Sequence, residues 1–231
     1  QARCESLGVQ LVFEQDVSDD QALAQQYQAD LVIASDGLNS RIRQRYAHSY
    51  QPDIDTRDCR FVWLGTHQTF DAFTFAFEET EHGWFQAHAY KYDEHTSTFI
   101  VETPASVWQA HGIDQMSQDE AVAFCQNLFA KYLDGHELMS NAAHLRGSAI
   151  WIQFPRVICQ HWVHWIQTPT QPKVPVVLMG DAAHTAHYSI GSGTKLALED
   201  AIDLSNAFSS QPDADIASVL QAYEARRSVE V

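Results

Sequence analysis

Two aspartate–glycine pairs follow apolar runs at widely separated places in the chain. Asp36-Gly37 comes after the run at 30–35, and Gly180-Asp181 comes after the run at 174–179. Open α/β sheets bind ligands at the carboxyl ends of their strands. An aspartate there accepts hydrogen bonds from sugar-like hydroxyl groups, and a neighbouring glycine lets the backbone approach the ligand. Each pair taken singly is typical of a turn, but together they predict a binding site.

A glycine-rich loop extends the second pair. Gly191-Ser192-Gly193 precedes a predicted helix that starts at Thr194 and carries Glu199-Asp200-Ala201. Backbone N–H groups at a helix start carry partial positive charge and favour an anionic ligand group. The order of strand, Gly-Asp, glycine loop and acidic helix is not explained by a turn alone.

The elements that position these residues are predicted from apolar patterning. Continuous apolar runs at 30–35 and 174–179 favour strands covered on both faces, as in a parallel α/β sheet. Asn39-Ser40 offers N-caps to a short helix that carries three arginines. A short strand is also predicted at 11–13.

The middle of the chain has a different pattern. Four runs rich in aromatic and β-branched residues predict an antiparallel meander, at 61–65, 70–77, 84–92 and 96–101. Ser117 with Glu120 forms a capping box that begins a helix ending near Leu133. The predicted fold is α/β with an inserted antiparallel sheet. Its predicted domains are 1–55 and 171–231, two parts of one partial Rossmann-like domain, and 56–170, an α+β domain.

Composition excludes several functional classes. Thirty acidic residues against fourteen basic ones give a net charge of −16, which disfavours nucleic-acid binding. No apolar stretch is long enough to span a membrane and no signal peptide begins the chain, so a cytoplasmic location is expected. Four widely spaced cysteines are predicted to be reduced thiols. Two HxxH pairs lack the further ligands of a zinc site, so no metal is expected.

Both ends of the sequence are expected to be truncated. The chain begins with Gln1 where an intact protein would begin with methionine, and it stops at Val231 inside a helical pattern. A motif that this sequence lacks is therefore expected beyond its ends.

The two motifs closely resemble, in order, the DG and GD motifs of the para-hydroxybenzoate hydroxylase class of FAD monooxygenases. In that family the aspartate matching Asp181 binds the flavin ribitol, and the one matching Asp36 lies near the pyrophosphate and helps FAD and NAD(P)H binding. The family's GxGxxG motif would then lie upstream of Gln1, and the loop at 187–194 would pack by the isoalloxazine ring. This loop departs from the family, which usually has proline there. The implied FAD-binding residues are Asp36, Gly37, Arg43, Gly180, Asp181, Gly191, Ser192, Gly193 and Thr194.

Segments at 61–66, 70–75, 86–90, 97–102 and 186–195 resemble a subgroup, salicylyl-CoA 5-hydroxylase and 2-aminobenzoyl-CoA monooxygenase. The resemblance implies an FAD- and NAD(P)H-dependent aromatic-ring monooxygenase. In such enzymes O2 adds to the reduced flavin, and the C4a-hydroperoxide hydroxylates the ring. The implied substrate is a 2-hydroxy- or 2-amino-benzoyl-CoA, attacked at C5. A homodimer, or fusion to a second flavin domain, is the expected assembly.

The candidate catalytic residues are His187, Tyr188 and His88. His187 and Tyr188 follow the GD motif, and His88 lies on a predicted strand. Strand parity places Trp84, Gln86 and Tyr90 on the same face as His88, so these three are the candidate substrate-binding residues. Sheet faces of this kind are more often core, and His184 is expected to be structural.

Alternative functions remain open at this point. The chain resembles the hydroxylase of violacein synthesis as well, so an indole- or tryptophan-derived substrate is one alternative. A flavin reductase or oxidase without ring hydroxylation is a second, and a fragment that binds no flavin is a third. A CoA thioester is polyanionic, and a chain of net charge −16 repels it unless a basic patch forms locally. The candidates for that patch are Arg41, Arg43, Arg45, Lys91 and Arg146.

Overall fold

A computed structural model describes residues 1–140, 151–170, 173–187 and 191–231. The chain divides into two compact units, the first formed by 1–53 and 157–231, the second by 54–156. The second boundary falls earlier than the sequence predicted. This is because the strand at 163–166 pairs with the strand at 174–178 and so belongs to the first unit.

The first unit contains both aspartate–glycine motifs. Its helices are α1 (Ala2–Ser6), α2 (Asp20–Tyr27), α3 (Arg41–Arg45), α4 (Ala47–Tyr50), α8 (Gly193–Ser210) and α9 (Ile216–Glu230), and its sheet strands are β1 (Val32–Ala34), β9 (Val163–Ile166) and β10 (Val174–Leu178). A short 3-10 turn covers Gly180–Ala182. The chain passes to and from the second unit through β2 (Pro52–Thr56) and β8 (Pro155–Cys159), which form a two-stranded sheet.

A three-stranded sheet lies at the centre of the first unit. Among the described residues its order is β1-β10-β9, with β1 parallel and β9 antiparallel to β10. All five residues of β10 are buried, which is why its sequence lacks apolar–polar alternation. No strand forms at 11–13, where Val12 and Phe13 are exposed, so that prediction was wrong.

The second unit is built on an antiparallel sheet. Its strands are β3 (Cys59–Thr66), β4 (Thr74–Thr80), β5 (Gly83–Lys91), β6 (Ser97–Pro104) and β7 (Leu138–Ser140), and its helices are α5 (Ala105–Ala110), α6 (Gln118–Leu128) and α7 (Ala130–Leu133). The strand order among the described residues is β4-β5-β6-β3-β7. The antiparallel pairing confirms the prediction, but the simple meander was wrong, because β3 pairs with β6 and β7.

The two faces of this sheet differ. Phe85, Ala87, Phe99 and Val101 are buried in a core with residues of α6 and α7. Large aromatic side chains on the opposite face are exposed, namely Trp63, Phe73, Phe75, Phe77 and Trp84. The predicted capping box begins α6: the Ser117 N–H donates to Glu120, and the Glu120 N–H donates to the Ser117 hydroxyl.

None of the helices in the described residues combines the length and apolarity needed to cross a bilayer. Within the same residues no group of three His, Cys, Asp or Glu side chains is arranged to hold a metal ion.

Candidate functional site

The two aspartate–glycine motifs meet in the first unit. Ala34 of β1 pairs with Leu178 of β10, and the Met179 N–H donates to the Ala34 carbonyl at 3.0 Å. Because the strands are parallel, both motifs leave the sheet at the same edge. The sequence predicted each motif at a strand end, and the pairing places those ends side by side.

A cleft of about 370 Å³ opens at this edge of the sheet. It is lined by Ser35, Gly37, Met179, Gly180, Asp181, Gly193, Thr194, Ala197 and Leu198. Asp181 is exposed, whereas the next residues, Ala182 and Ala183, are fully buried. The buried neighbours hold the backbone in place while the carboxylate faces solvent.

Gly180 is held against helix α8. Its φ of +61° is a left-handed conformation that favours glycine, and a β-carbon there would lie 3.1 Å from the β-carbon of Ala197. The Gly180 N–H donates to the Asp200 carboxylate at 2.9 Å. A β-carbon at this position would therefore require the turn or Ala197 to shift by a few tenths of an ångström.

The first turn of α8 lies beside Asp181. A β-carbon built on Gly193 would lie 4.0 Å from Asp181 Oδ1. Ser192 is the N-cap residue, and its side chain does not cap the helix. Backbone N–H groups of the first helical turn have no partner inside the helix, so this end can receive acceptor atoms of a ligand.

Asp36 has a local structural role. Its Oδ2 accepts from the N–H groups of Arg41 at 2.9 Å and Ile42 at 3.3 Å, so the carboxylate caps α3. Ser40 is the predicted N-cap, and its hydroxyl accepts from the Arg43 N–H. Gly37 has a φ of +79° and open space where a β-carbon would stand, which leaves its backbone accessible from the cleft.

Arg43 is buried and joins the two motifs. Its Nη1 donates to the carbonyl oxygens of Asp181 at 3.3 Å and Ala182 at 2.9 Å, and its Nη2 donates to the Leu38 carbonyl. The guanidinium therefore holds the backbone of the Gly-Asp turn. The sequence offered Arg43 as a cofactor ligand, and in the structure its guanidinium donates to backbone carbonyls of both motifs.

The other basic residues of α3 are paired. Arg41 forms an ion pair with Asp16, and Arg45 pairs with Asp20, which also accepts from the Tyr46 hydroxyl. Lys91 lies in a recess with three acidic residues, and Arg146 lies outside the described residues. Each arginine of α3 thus has a partner within the chain, so the helix does not present a basic patch to phosphate groups.

A buried charged network supports the Gly-Asp turn from behind. His184 is 3% exposed, its Nε2 donates to Asp200 at 2.8 Å, and its ring stacks on Trp162. The Arg227 Nε donates to the second oxygen of Asp200 at 2.7 Å. The sequence suggested that His184 satisfies nearby backbone, whereas its partner is the Asp200 side chain; Asp200 and Arg227 were not predicted as its partners. The sequence did contain an indication of Asp200, because its carboxylate lies among the regularly spaced apolar residues of α8.

The charge of Asp200 is stabilised by this network. Burial alone would raise its pKa, but hydrogen bonds from His184, Arg227 and Gly180 outweigh burial and lower the pKa below its usual value. The carboxylate is therefore ionised at neutral pH.

The candidate residues of the second unit share one face of β5. Trp84, Gln86, His88 and Tyr90 alternate along β5, and Trp84 and Tyr90 are about 20 Å apart along it. His88 is 1% exposed and lies against Phe73. Tyr90 lines a recess of about 560 Å³ with Phe70, Asp71, Ala72, Phe73, Lys91, Tyr92, Asp93 and Glu94. That all four residues face one pocket stays a prediction.

The remaining candidates follow the Gly-Asp turn. His187 is half-buried in the first unit. Tyr188 lies outside the described residues.

Comparison with known proteins identifies relatives of the whole chain. The family described as FAD binding domain matches residues 7–230. Salicyloyl-CoA 5-hydroxylase of a Streptomyces species is 36% identical over 241 residues, which cover 100% of this chain and 43% of that enzyme. The 3-hydroxy-4-methyl-anthranilyl-[aryl-carrier protein] 5-monooxygenase of Streptosporangium sibiricum is 35% identical and matches 87% of this chain and 49% of that enzyme. The chain thus spans about half the length of these relatives.

A solved structure shares the fold. The tetrameric form of 2-methyl-3-hydroxypyridine-5-carboxylic acid oxygenase superposes with a TM-score of 0.59 at 18% identity, covering 86% of this chain and 49% of that one.

Proposed function

The chain belongs to the FAD binding domain family, and on that premise we propose that it is part of an FAD- and NAD(P)H-dependent monooxygenase that hydroxylates an aromatic ring. One observation carries the proposal: both aspartate–glycine motifs border a single cleft at the carboxyl edge of a sheet. Ligands of open α/β sheets bind at this edge.

The residues of the cleft fit the sugar-alcohol part of FAD. Asp181 is exposed and would accept hydrogen bonds from ribitol hydroxyls. Gly37 and Gly193 present backbone without side chains, which allows close approach. The start of α8 would face the pyrimidine side of the isoalloxazine ring, where negative charge is favoured by the helix dipole.

The proposed reaction uses two cosubstrates, O2 as the source of oxygen and NAD(P)H as the source of electrons. When bound, FAD would supply the redox chemistry by which two electrons of NAD(P)H reduce O2 and one of its oxygen atoms enters the ring. An aromatic C–H, O2, NAD(P)H and a proton give the phenol, NAD(P)+ and water. The chain itself contributes binding, orientation and exclusion of water.

The proposed substrate is a 2-hydroxy- or 2-amino-benzoyl thioester, hydroxylated at C5. Both relatives above 30% identity are named for such a ring, carried in one case by CoA and in the other by an aryl-carrier protein. A hydroxyl or amino group at C2 donates electrons to the position para to it, which is C5. The ortho donor therefore sets the site of oxygen transfer.

The second unit is proposed to bind the substrate ring. Its sheet presents exposed aromatic side chains, and Tyr90 with Phe73 forms stacked rings 5.4 Å apart. In this unit Trp84, Gln86 and Tyr90 are the proposed substrate contacts, and His88 is the proposed catalytic residue. His88 is buried in the structure and lies against Phe73 and Phe75. His187 and Tyr188, which follow the Gly-Asp motif in the sequence, remain proposed catalytic residues.

Labelled oxygen tests the proposed reaction. The whole protein is incubated with NAD(P)H, 18O2 and 2-hydroxybenzoyl-CoA, and the product is analysed by mass spectrometry. We expect substrate-stimulated NAD(P)H oxidation and one 18O atom at C5. Peroxide formation without labelled product, for benzoyl and indole substrates alike, would identify an oxidase and contradict the proposal.

A further inference from the structure

The carboxylate of Asp200 connects three parts of the first unit. It accepts from the Gly180 N–H at 2.9 Å, from His184 Nε2 at 2.8 Å and from Arg227 Nε at 2.7 Å. Asp200 lies in α8, Arg227 lies in α9, and the other two donors flank Asp181. One buried side chain thus holds both ends of the turn that carries the exposed aspartate.

The Asp200 carboxylate is buried and fully paired. Asp200 is fully buried and Arg227 is 3% exposed, and a buried carboxylate is costly unless it is paired and hydrogen-bonded. Here three donors satisfy it. The Gly180 N–H is one of these donors, so this network holds the Gly180 backbone against α8.

The same helix provides the other side of the cleft. Gly193, whose added β-carbon would lie 4.0 Å from Asp181 Oδ1, is the first residue of α8. It lies about 10 Å along the helix axis from Asp200, at 1.5 Å for each residue. Asp200 therefore holds Asp181 in place relative to the N-terminus of α8, the helix that contains Asp200.

We propose that Asp200 is a positioning residue of the cofactor site, which sets the Asp181 carboxylate against the start of α8 through its hydrogen bonds to Gly180 and His184. The inference rests on the proposed function, since it concerns FAD held by Asp181. It predicts that the contribution of Asp200 to FAD affinity depends on the presence of the Asp181 carboxylate.

Asp203 provides a matched control. It lies on the same helix and forms an ion pair with Arg226 of α9, with Arg226 Nε donating at 3.0 Å. This pair joins the same two helices nearer the surface and does not contact the Gly-Asp turn. Asp203→Asn thus removes a link between α8 and α9 without removing the support of Asp181.

The experiment is a double-mutant cycle on FAD affinity. The dissociation constant of FAD is measured by flavin fluorescence for the whole protein and for Asp200→Asn, Asp181→Ala, the double variant and Asp203→Asn. We expect Asp200→Asn to weaken binding about tenfold, the loss of roughly one hydrogen bond to a charged group. Asp203→Asn should stay within about twofold. The double variant should bind FAD no more weakly than Asp181→Ala alone, because the position of an absent carboxylate no longer matters.

Two results would overturn the positioning role. One is wild-type FAD affinity in Asp200→Asn. The other is a double variant whose loss equals the product of the two single losses, which indicates general destabilisation. If Asp200→Asn does not fold, Asp200→Glu takes its place, since it keeps the charge opposite Arg227 and shifts the carboxylate by one methylene. If the unsubstituted protein binds no flavin, the proposed function fails and this inference fails with it.

Discussion

Gly180 and Ala197 approach so closely that a β-carbon on Gly180 would lie 3.1 Å from that of Ala197. The contact brings the Gly-Asp turn onto α8, and the positive φ of Gly180 directs the chain from β10 into that turn. The shape of the cleft therefore depends on a glycine at position 180.

Gly180→Ala is expected to destabilise the first unit more than the same substitution does at another glycine with a left-handed conformation. Gly191→Ala, at a φ of +67° with open space around it, should cost only the conformational strain of about 1 to 2 kcal/mol. Gly180→Ala adds the contact with Ala197. Urea denaturation measures both losses.

A second substitution isolates the contact. In the Gly180→Ala background, Ala197→Gly should destabilise less than it does in the wild type, because it removes the clash. Equal effects of Ala197→Gly in both backgrounds would show that the contact is not responsible.

Arg43→Lys should destabilise the protein by about 1 to 3 kcal/mol, because it leaves carbonyl oxygens that the buried guanidinium now satisfies. Arg41→Lys is the control, since Arg41 is exposed and its ion pair with Asp16 is on the surface. Its effect should stay within about 0.5 kcal/mol. The change in urea midpoint for each variant checks the prediction, and equal changes would count against the role of Arg43.

The pH dependence of stability should include a contribution from Asp200. Its pKa is lowered in the folded protein by the hydrogen bonds that outweigh burial. The stability it contributes is therefore present above the unfolded-state value of about 3.9 and is lost as the pH falls through the lower folded-state pKa. Below about pH 5, denaturation midpoints should fall less steeply with falling pH for Asp200→Asn than for the wild type. An unchanged acid slope would contradict this assignment.

The thiols should differ widely in reactivity. Burial raises the pKa of Cys125 to about 12 and that of Cys159 to about 11, whereas Cys4 is exposed. Because the thiolate is the reactive form, native protein at pH 8 should show fast modification of Cys4 and very slow modification of the two buried thiols. Cys4→Ser should remove the fast phase, and mass mapping identifies the modified residue. Fast labelling of Cys125 in native protein would be inconsistent with the packing of α6.

The sequence predicted the parts of the site that local patterning determines. Apolar runs without alternation, ended by Asp36-Gly37 and Gly180-Asp181, located the two strand ends. The parallel pairing then placed those ends together. The capping box at Ser117 and the N-cap at Ser40 were likewise local, and both form.

Long-range pairing was not predictable from local patterns. Aromatic and β-branched residues identify β3 as a strand but do not say that it lies beside β6. The pair of Asp200 and Arg227 joins residues 27 positions apart on two helices, and only their packing brings the charges together. The apolar segment at 11–13 has no strand paired with it among the described residues, so its strand propensity is not realised.

The most direct measurement is the change that Asp181→Ala causes in two affinities, that for FAD and that for lumiflavin. Lumiflavin has the isoalloxazine ring without the ribityl chain. If the Asp181 carboxylate binds the ribitol hydroxyls, FAD binding should weaken by about ten- to a hundredfold, the equivalent of about 1.5 to 3 kcal/mol. Lumiflavin binding should be unchanged. An unaltered FAD dissociation constant, or an equal loss for both flavins, would contradict the assignment of this cleft to the cofactor.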